Sequence, residues 1–302
     1  MEKNDTFARR KKIMFVSVIT PTYNRAYILQ QCYQSLVNQT EHDFEWIVID
    51  DGSTDETEKL VEQMIVEGKI QIRYKRQENG GKHRAHNKGV NLARGELSVC
   101  LDSDDVLSPN AIARVKEIWD EEKKKSAIGI LALRGDFSSH QRICSALPEG
   151  VQYATMTELL NSYAFKGDTV LFFKTNLLKQ HYFRDFDNER FIPEISLYAE
   201  LDEIGPMVLL NEVLYYCEYL EDGLTAKYAQ LLKDNPMGTA YAYYRMALVS
   251  NSLKYQVKYG IISKAYFMLE KRNGAFCYER KKIIFWIASL VAPLYRKMKI
   301  ER

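Results

Sequence analysis

Short apolar runs that alternate with amphipathic helical patterns fill the first half of the chain, and they restrict it to a parallel sheet covered by helices. Met14 to Thr20 (MFVSVIT) reads as a first strand, after which Ile28, Leu29, Cys32, Leu36 and Val37 recur at helical spacing. Glu45 to Asp50 (EWIVID) forms a second strand and Ile70 to Lys75 a third. A helix over Lys82 to Ala93 leads into a strand over Leu97 to Leu101. Ser108 as N-cap and Pro109 in the first turn open a helix to about Lys124, and Ile128 to Leu133 is strand again. The second half is less regular. Thr169 to Phe173 and Met207 to Leu220 read as strands, with a short helix around Pro193 to Glu203 between them. From about Ala226 the pattern is helical and rich in Tyr, Lys and Leu, and the tyrosines from Tyr228 to Tyr266 read as helix packing. The 302 residues are 46% apolar, enough for one large α/β domain with an appendage or for two modest domains. The expected layout is an α/β domain over 1–225 with a helical C-terminal extension over 226–302.

Charge and cysteine usage narrow the function classes. The 42 basic and 40 acidic residues nearly cancel, so nothing in the charge points to nucleic acid as a partner. The cysteines (Cys32, Cys100, Cys144, Cys217, Cys277) are dispersed and form no CxxC pair. That argues against a disulfide framework or a zinc site and fits a reducing compartment. MEKNDTFARRKK is basic, but the MFVSVIT that follows is too short for a signal-peptide core. No run reaches the roughly eighteen apolar residues of a membrane span. The expected location is cytoplasmic.

The most informative segment is ELSVCLDSDDVLSPNAI. An apolar strand ends and delivers Asp102, Asp104 and Asp105 within four residues. Carboxylates so close repel one another unless a cation or many donors neutralise them. Open α/β sheets put ligands at that end of their strands. A hard divalent ion, Mg²⁺ or Mn²⁺, takes one or two carboxylates and completes its shell with phosphate oxygens and water. An Asp-rich turn capping the next helix would look the same in isolation. A second acidic turn, WIVIDDGSTDET, places Asp50 and Asp51 directly after a strand, with Gly52 to allow the tight turn and Ser53, Thr54 or Asp55 to cap a helix. The first strand ends in TPTYNR, where the Tyr23 ring can stack on a base.

In order and together, SVITPTYNR, IVIDDGSTD, ENGGKHRAHNKGVNLARGEL and LDSDD resemble the nucleotide-binding half of family 2 glycosyltransferases with the GT-A fold, over residues 15 to about 110. The resemblance implies a Rossmann-like, mostly parallel sheet, with a nucleotide-sugar half at 13–110 and an acceptor half at 111–225. It also implies a UDP-sugar or related donor, a bound divalent cation, and inversion at the anomeric carbon. By the same resemblance, Pro21 and Tyr23 look like the base-contacting turn, and Asp50 or Asp51 reads the base. Asp102 and Asp104 match the DXD motif, Asp102 facing the ribose and Asp104 the metal, with Asp105 as a helper. Lys82 lies in a Gly-rich turn before a helix, where a cation and free N–H groups suit a diphosphate. Many family members carry Arg where this chain has His86, and His83 or Arg84 is left to compensate.

Inverting transfer needs a general base for the acceptor hydroxyl. The segment NERFIPEISLYAELDE offers Glu194, after Pro193 and ahead of an apolar helical pattern. Related bacterial sequences pair a KGD-like strand start with an RFIPE-like segment and EYLEDGLT, matching Lys166 to Asp168, Arg190 to Glu194 and Glu218 to Thr225. That makes Glu194 the first candidate, with Asp168 and then Glu189 behind it; Ile195 stands where the family usually has Asp. Asp222 and Gly223 read as turn residues. Near the C-terminus, IIFWIASLVAPLY lies between Arg280, Lys281 and Lys282 on one side and Arg296, Lys297 and Lys299 on the other. Thirteen residues cannot span a bilayer, but such a helix suits peripheral contact with the inner face of a membrane through 280–299. Ala288, Ser289 and Ala292 would equally suit packing on the protein. Two rivals remain. A nucleotidyltransferase would carry a Gly-rich loop after the first strand, which TPTYNR lacks. A non-catalytic nucleotide-sugar-binding subunit would not need the acidic pair and a base.

Overall fold

The computed structural model describes residues 14–123, 125–218, 223, 225–269 and 278–301. Residues 1–13, Lys124, Leu220, Asp222 and Cys277, on which some expectations fell, lie outside the described residues.

Nine strands form one mixed sheet: β1 (Val16–Thr22), β2 (Phe44–Asp50), β3 (Ile72–Arg76), β4 (Leu97–Cys100), β5 (Val106–Leu107), β6 (Gly129–Asp136), β7 (Tyr153–Ala154), β8 (Thr169–Lys174) and β9 (Met207–Cys217). Their order is β3-β2-β1-β4-β8-β6-β9-β5, with β7 pairing β9. β1 runs parallel to β2 and β4, β2 to β3, and β6 to β9. β8 runs antiparallel between β4 and β6, and β5 and β7 run antiparallel to β9. This is the expected α/β architecture, a mostly parallel sheet of the GT-A kind.

The helices are α1 (Leu29–Val37), α2 (Thr57–Glu67), α3 (Lys82–Leu92), α4 (Ala111–Glu122), α5 (Met156–Asn161), α6 (Thr175–Leu178), α7 (Ile195–Leu201), α8 (Tyr228–Asp234), α9 (Pro236–Val249), α10 (Leu253–Phe267) and α11 (Lys282–Tyr295). Alternation along β2 shows how the sheet is covered on both faces. Trp46 and Val48 join a cluster with Leu29 and Leu36 of α1, Val61 of α2 and Ile112 of α4. Ile47 and Ile49 point the other way, into a cluster that contains Ala85 of α3, Leu197 of α7 and the inner faces of α9 to α11. The helical extension therefore shares one apolar core with the sheet.

One local expectation changes. α4 begins at Ala111, with Asn110 at the cap position and no side-chain cap, while the Ser108 hydroxyl donates to Asn110 Oδ1 at 3.1 Å. A side-chain cap appears instead at α5, where Thr155 and Glu158 form a reciprocal capping box.

A buried carboxylate ties β1, β2 and β3 together. Glu45 is fully buried; its Oε1 accepts from Ser17 Oγ (2.8 Å) and the Arg94 N–H (2.7 Å), and its Oε2 from Arg73 Nη1 (3.1 Å). Glu45→Ala strands the Arg73 charge and two donors. We expect a loss of about 3–5 kcal/mol in urea unfolding. A loss below about 1 kcal/mol would show that water or a neighbour takes over those contacts.

Candidate active site

The register brings the acidic turns to one edge. Thr22 of β1 sits opposite Asp50 of β2, and Ile19 opposite Cys100 of β4, so the segments after all three strands emerge side by side. β8 is antiparallel and starts at that edge, with Thr169 opposite Leu133, which delivers Asp168 there. Together they open into a cleft of about 1270 Å³ lined by Pro21, Tyr23, Asp51, Lys82, Asp102, Asp104, Asp168 and Glu194, among others.

Asp50 and Asp51 part company. Asp50 is fully buried and absent from the described cleft lining; its Oδ1 accepts from the Ser53 N–H (2.7 Å) and its Oδ2 from the Tyr74 hydroxyl (2.7 Å). Asp51 faces the cleft. Its Oδ1 accepts from Gln77 Nε2 (2.7 Å) and the Gly80 N–H (2.8 Å), and its Oδ2 from the Gly81 N–H (2.7 Å). This carboxylate fastens the turn after β2 to the loop before α3. Gly81 is required there: its φ is +99°, and a Cβ would lie 2.0 Å from the Arg190 carbonyl oxygen.

Lys82, the first residue of α3, reaches across the cleft. Its Nζ lies 2.7 Å from Asp102 Oδ1 and 2.8 Å from Glu194 Oε1. One ammonium thus joins the turn at Asp102 to Glu194, which lies 112 residues beyond Lys82 in the chain. Burial works against the ammonium's charge, but Asp102 and Glu194 outweigh it and hold its pKa well above the usual value. Lys82 in turn holds Glu194 well below the usual carboxylate range, against the opposing effect of burial. Glu194 stands at the cap position of α7, and the hydroxyl of Tyr198, one turn on, donates to its Oε2 at 3.2 Å. Asp104 shows the opposite behaviour: burial, then the charge of Asp102, raises its pKa. The two carboxylates repel each other, and burial adds to the cost of ionising Asp104.

Several expectations are corrected or refined. Asp105 is buried at the cleft, and its Oδ2 accepts from the Tyr215 hydroxyl at 2.6 Å, which braces the turn. Glu189 is buried and accepts from the backbone N–H groups of Met237 and Gly238 (2.7 Å each), so it anchors the start of α9. Arg84 binds the Gly80 carbonyl, Asp185 and the Phe186 carbonyl and is absent from the cleft lining, so it does not stand in for the family arginine. His83 and His86 do line the cleft, and burial holds each near pKa 4 and therefore neutral. The tyrosines divide: Tyr241, Tyr244 and Tyr266 are buried away from the cleft, whereas Tyr228, Tyr243, Tyr255 and the likewise buried Tyr259 line it.

Sequence reading missed Arg134. It projects from β6, donates through Nε to the Thr169 carbonyl (3.0 Å) and covers the Tyr215 ring at 4.2 Å. Its charge acts on Asp102, Glu194 and Asp105. Only the pairing of β6 with β8 and β9 puts it there, and no local motif marks it.

Among the described residues no three His, Cys, Asp or Glu side chains form a ready-made metal cage. The donor set present is Asp102 and Asp104 in an open cleft. That suits a hard divalent ion that keeps water and phosphate oxygens in its shell, and it does not suit zinc.

A mostly parallel sheet with an acidic cleft at its strand ends is the GT-A class of nucleotide-sugar enzyme. The family model for glycosyl transferase family 2 matches residues 17–185, and the chain belongs to that family; it is a glycosyltransferase. It is 29% identical to the glycosyltransferase GlyG of Streptococcus pneumoniae over 66% of this chain and 69% of that protein. It is 28% identical to the chondroitin synthase of Escherichia coli over 76% of this chain, which is 32% of that much longer protein. In structure it is similar to Staphylococcus aureus TarS 1-349 in complex with UDP, with a TM-score of 0.58, 19% identity and coverage of 95% of this chain and 88% of the other. It is also similar to the mannosyltransferase PcManGT of Pyrobaculum calidifontis in complex with GDP-Man and Mn²⁺, with a TM-score of 0.52, 18% identity and the same coverages. At such identities the structural likeness speaks for the fold alone.

Proposed function

We propose that the chain transfers a sugar from a nucleotide diphosphate donor, a UDP-sugar, to a hydroxyl of a glycan or lipid-linked acceptor, with inversion. The observation that carries this is the Lys82 ammonium between Asp102 and Glu194 in a single cleft. It brings a cation that can take up diphosphate oxygens, the DXD carboxylates and a candidate base to one place.

In this reading Pro21, Tyr23 and Asp51 hold the base. Asp51 is the better candidate of the acidic pair because it faces the cleft and Asp50 does not. Asp104, with Asp102, would hold Mg²⁺ or Mn²⁺, which when bound offsets the charge on the leaving diphosphate. Lys82 exchanges its carboxylate partners for diphosphate oxygens as the donor enters. Glu194, released from Lys82 but still held by Tyr198, then takes the proton of the acceptor hydroxyl. The Arg134 charge helps, after Lys82, to keep Glu194 ionised across the cleft. Asp168, exposed at the start of β8, is the second candidate base. Residues 1–225 act as the catalytic unit, and 226–302 complete the acceptor side.

The test is calorimetric titration with UDP, GDP and CMP in Mn²⁺ and then in EDTA. One nucleotide should bind with metal and bind at least about tenfold more weakly without it. No binding of any nucleotide by folded protein would remove the donor-site reading and favour a scaffold role.

We also propose that α11 rests on an anionic lipid surface. No helix among the described residues is long and apolar enough to cross a membrane. Phe285, Ala288 and Ala292 are buried against the protein and Ser289 is exposed, while Ile283, Trp286, Leu290 and Leu294 on the outer face are 59–75% exposed. Basic residues flank them on both sides. Co-sedimentation should rise with the phosphatidylglycerol content of vesicles and fall in the double variant Trp286→Glu, Leu290→Glu. Equal recovery on neutral vesicles would refute the electrostatic part, and no recovery at all the whole.

A further inference from the structure

The cleft-facing side of α3 is fixed by contacts within the protein. The Asn87 carboxamide grips the Phe183 backbone twice, Nδ2 donating to its carbonyl (2.8 Å) and Oδ1 accepting from its N–H (2.9 Å). The rings of His86 and Phe183 meet in a T-shape with centroids 5.1 Å apart. Lys82 and His86 are four residues apart on α3, so they share one face of the helix, and both line the cleft. A locked ring therefore stands one turn from the ammonium that bridges Asp102 and Glu194.

What this ring lacks is a partner. His86 is only 8% exposed, and its Nδ1 has no hydrogen-bond partner among the described residues. The adjacent Asn87 side chain is spent on Phe183. A buried polar atom left unpaired is costly, and a ligand that supplies the partner removes the cost. Position says which part of a ligand that is. The charges that act most on the ring are those of Glu194, then Lys82 and Asp102. A donor whose diphosphate takes Lys82, and whose anomeric carbon faces the hydroxyl activated by Glu194, lays its sugar between the two and against His86. His83, the other buried histidine of α3, is set toward Asp185 and Asp51 instead, its Nε2 4.0 Å from Asp185 Oδ1. Charge narrows the class of sugar. Burial keeps the imidazole uncharged, where arginine would add a cation. With Lys82 drawn to the diphosphate, a carboxylate on the sugar would meet Asp102 and Glu194 without a cation freed to offset it.

We propose that His86 is a donor-specificity residue that pairs through Nδ1 with a hydroxyl or amide of the donor sugar, and that this sugar is an uncharged hexose or N-acetylhexosamine and not a uronate. The proposal rests on the transferase reading above and adds the class of sugar and the residue that reads it.

The test titrates the full chain calorimetrically, in Mn²⁺, with UDP, UDP-glucose, UDP-galactose, UDP-N-acetylglucosamine, UDP-N-acetylgalactosamine and UDP-glucuronate. One uncharged sugar should bind best, at least about tenfold better than the glucuronate. His86→Leu keeps the bulk of the ring but puts a methyl where Nδ1 stands. It should weaken that sugar about tenfold or more and leave UDP within about twofold. His86→Asn returns a polar atom to the Nδ1 position and should restore most of the preference. The wild-type protein gives a readout that needs no stable variant, since the chain has only five histidines. The ring-nitrogen NMR signal of His86 should move when the preferred UDP-sugar is added and hardly move with UDP alone. A Leu variant that loses UDP and UDP-sugars equally, a His86 signal that answers to UDP alone, or UDP-glucuronate as the best ligand would each overturn the proposal. UDP titration of the same samples keeps the two readings apart. Nucleotide binding with no sugar preference under the control of His86 removes this inference alone, and no binding of UDP or any UDP-sugar removes the transferase reading and this inference with it.

Discussion

Asp104→Ala is expected to weaken Mn²⁺-dependent UDP binding by at least about 100-fold, or ~2.8 kcal/mol, and to leave whatever affinity the nucleotide has in EDTA. The position explains the size of the effect. Asp104 faces the cleft, and its ionisation is opposed by burial and by Asp102. Its neighbours are already engaged, Asp105 by Tyr215 and Asp102 by Lys82. No other described carboxylate of that turn is free to replace it. Removing the repulsion should also raise thermal stability slightly in the absence of metal, since one of two crowded carboxylates is gone. The measurement is a pair of calorimetric titrations with Mn²⁺ and with EDTA, plus a melting curve. Equal losses in both titrations would mean that Asp104 shapes the nucleotide pocket and does not act through a cation.

How much of this was legible in the sequence depends on how local each feature is. EWIVID is strand by its own composition, and its alternation already implies two covered faces, as Trp46 and Ile47 confirm. LDSDD and DDGSTD announce themselves because each motif lies within a few residues of one strand end. Sequence could not choose between Asp50 and Asp51. Neighbouring residues at a strand end point to opposite sides, and only the packing of Tyr74 over one and of Gly80 and Gly81 over the other decides which faces the cleft. Ser108 and Asn110 show the same limit at helix resolution, since both are good caps by composition. Arg134 and the bridge from Lys82 to Glu194 were out of reach for a different reason. They depend on β6 and β8 pairing and on α7 docking beside α3, contacts between segments separated by tens of residues or more. The tyrosines of the extension carry no helical-face signal that separates packing from lining, so Tyr243 and Tyr244 looked alike and end on different sides of α9.

Glu194→Gln is expected to lower turnover about 10²- to 10⁴-fold while UDP binding stays within about threefold of wild type. The amide has the shape of the carboxylate and can still accept from Tyr198, so α7 keeps its start. What disappears is the ability to take a proton. The acceptor need not be known to see this. Slow release of UDP from a UDP-sugar to water uses the same proton acceptor and can be followed across a panel of donors. Loss of the negative charge also frees Lys82 from one of its two partners, which favours its turn toward the diphosphate. Nucleotide affinity should therefore hold or rise, the opposite of what a disrupted donor site would give. The pH dependence supplies an independent check. In the ligand-free protein Lys82 depresses the Glu194 pKa, so the ion pair is fully formed near neutrality and is lost only as pH falls through that lowered value. Once the donor has drawn Lys82 away, the Glu194 pKa returns toward the ordinary carboxylate range. The acid limb of turnover in the donor-bound enzyme should then lie above the pH at which the free protein loses its ion pair, and the Gln variant should lack that limb. A Glu194→Gln enzyme that keeps wild-type turnover with the same acid limb would move the proton transfer to Asp168, which stands exposed on the same cleft.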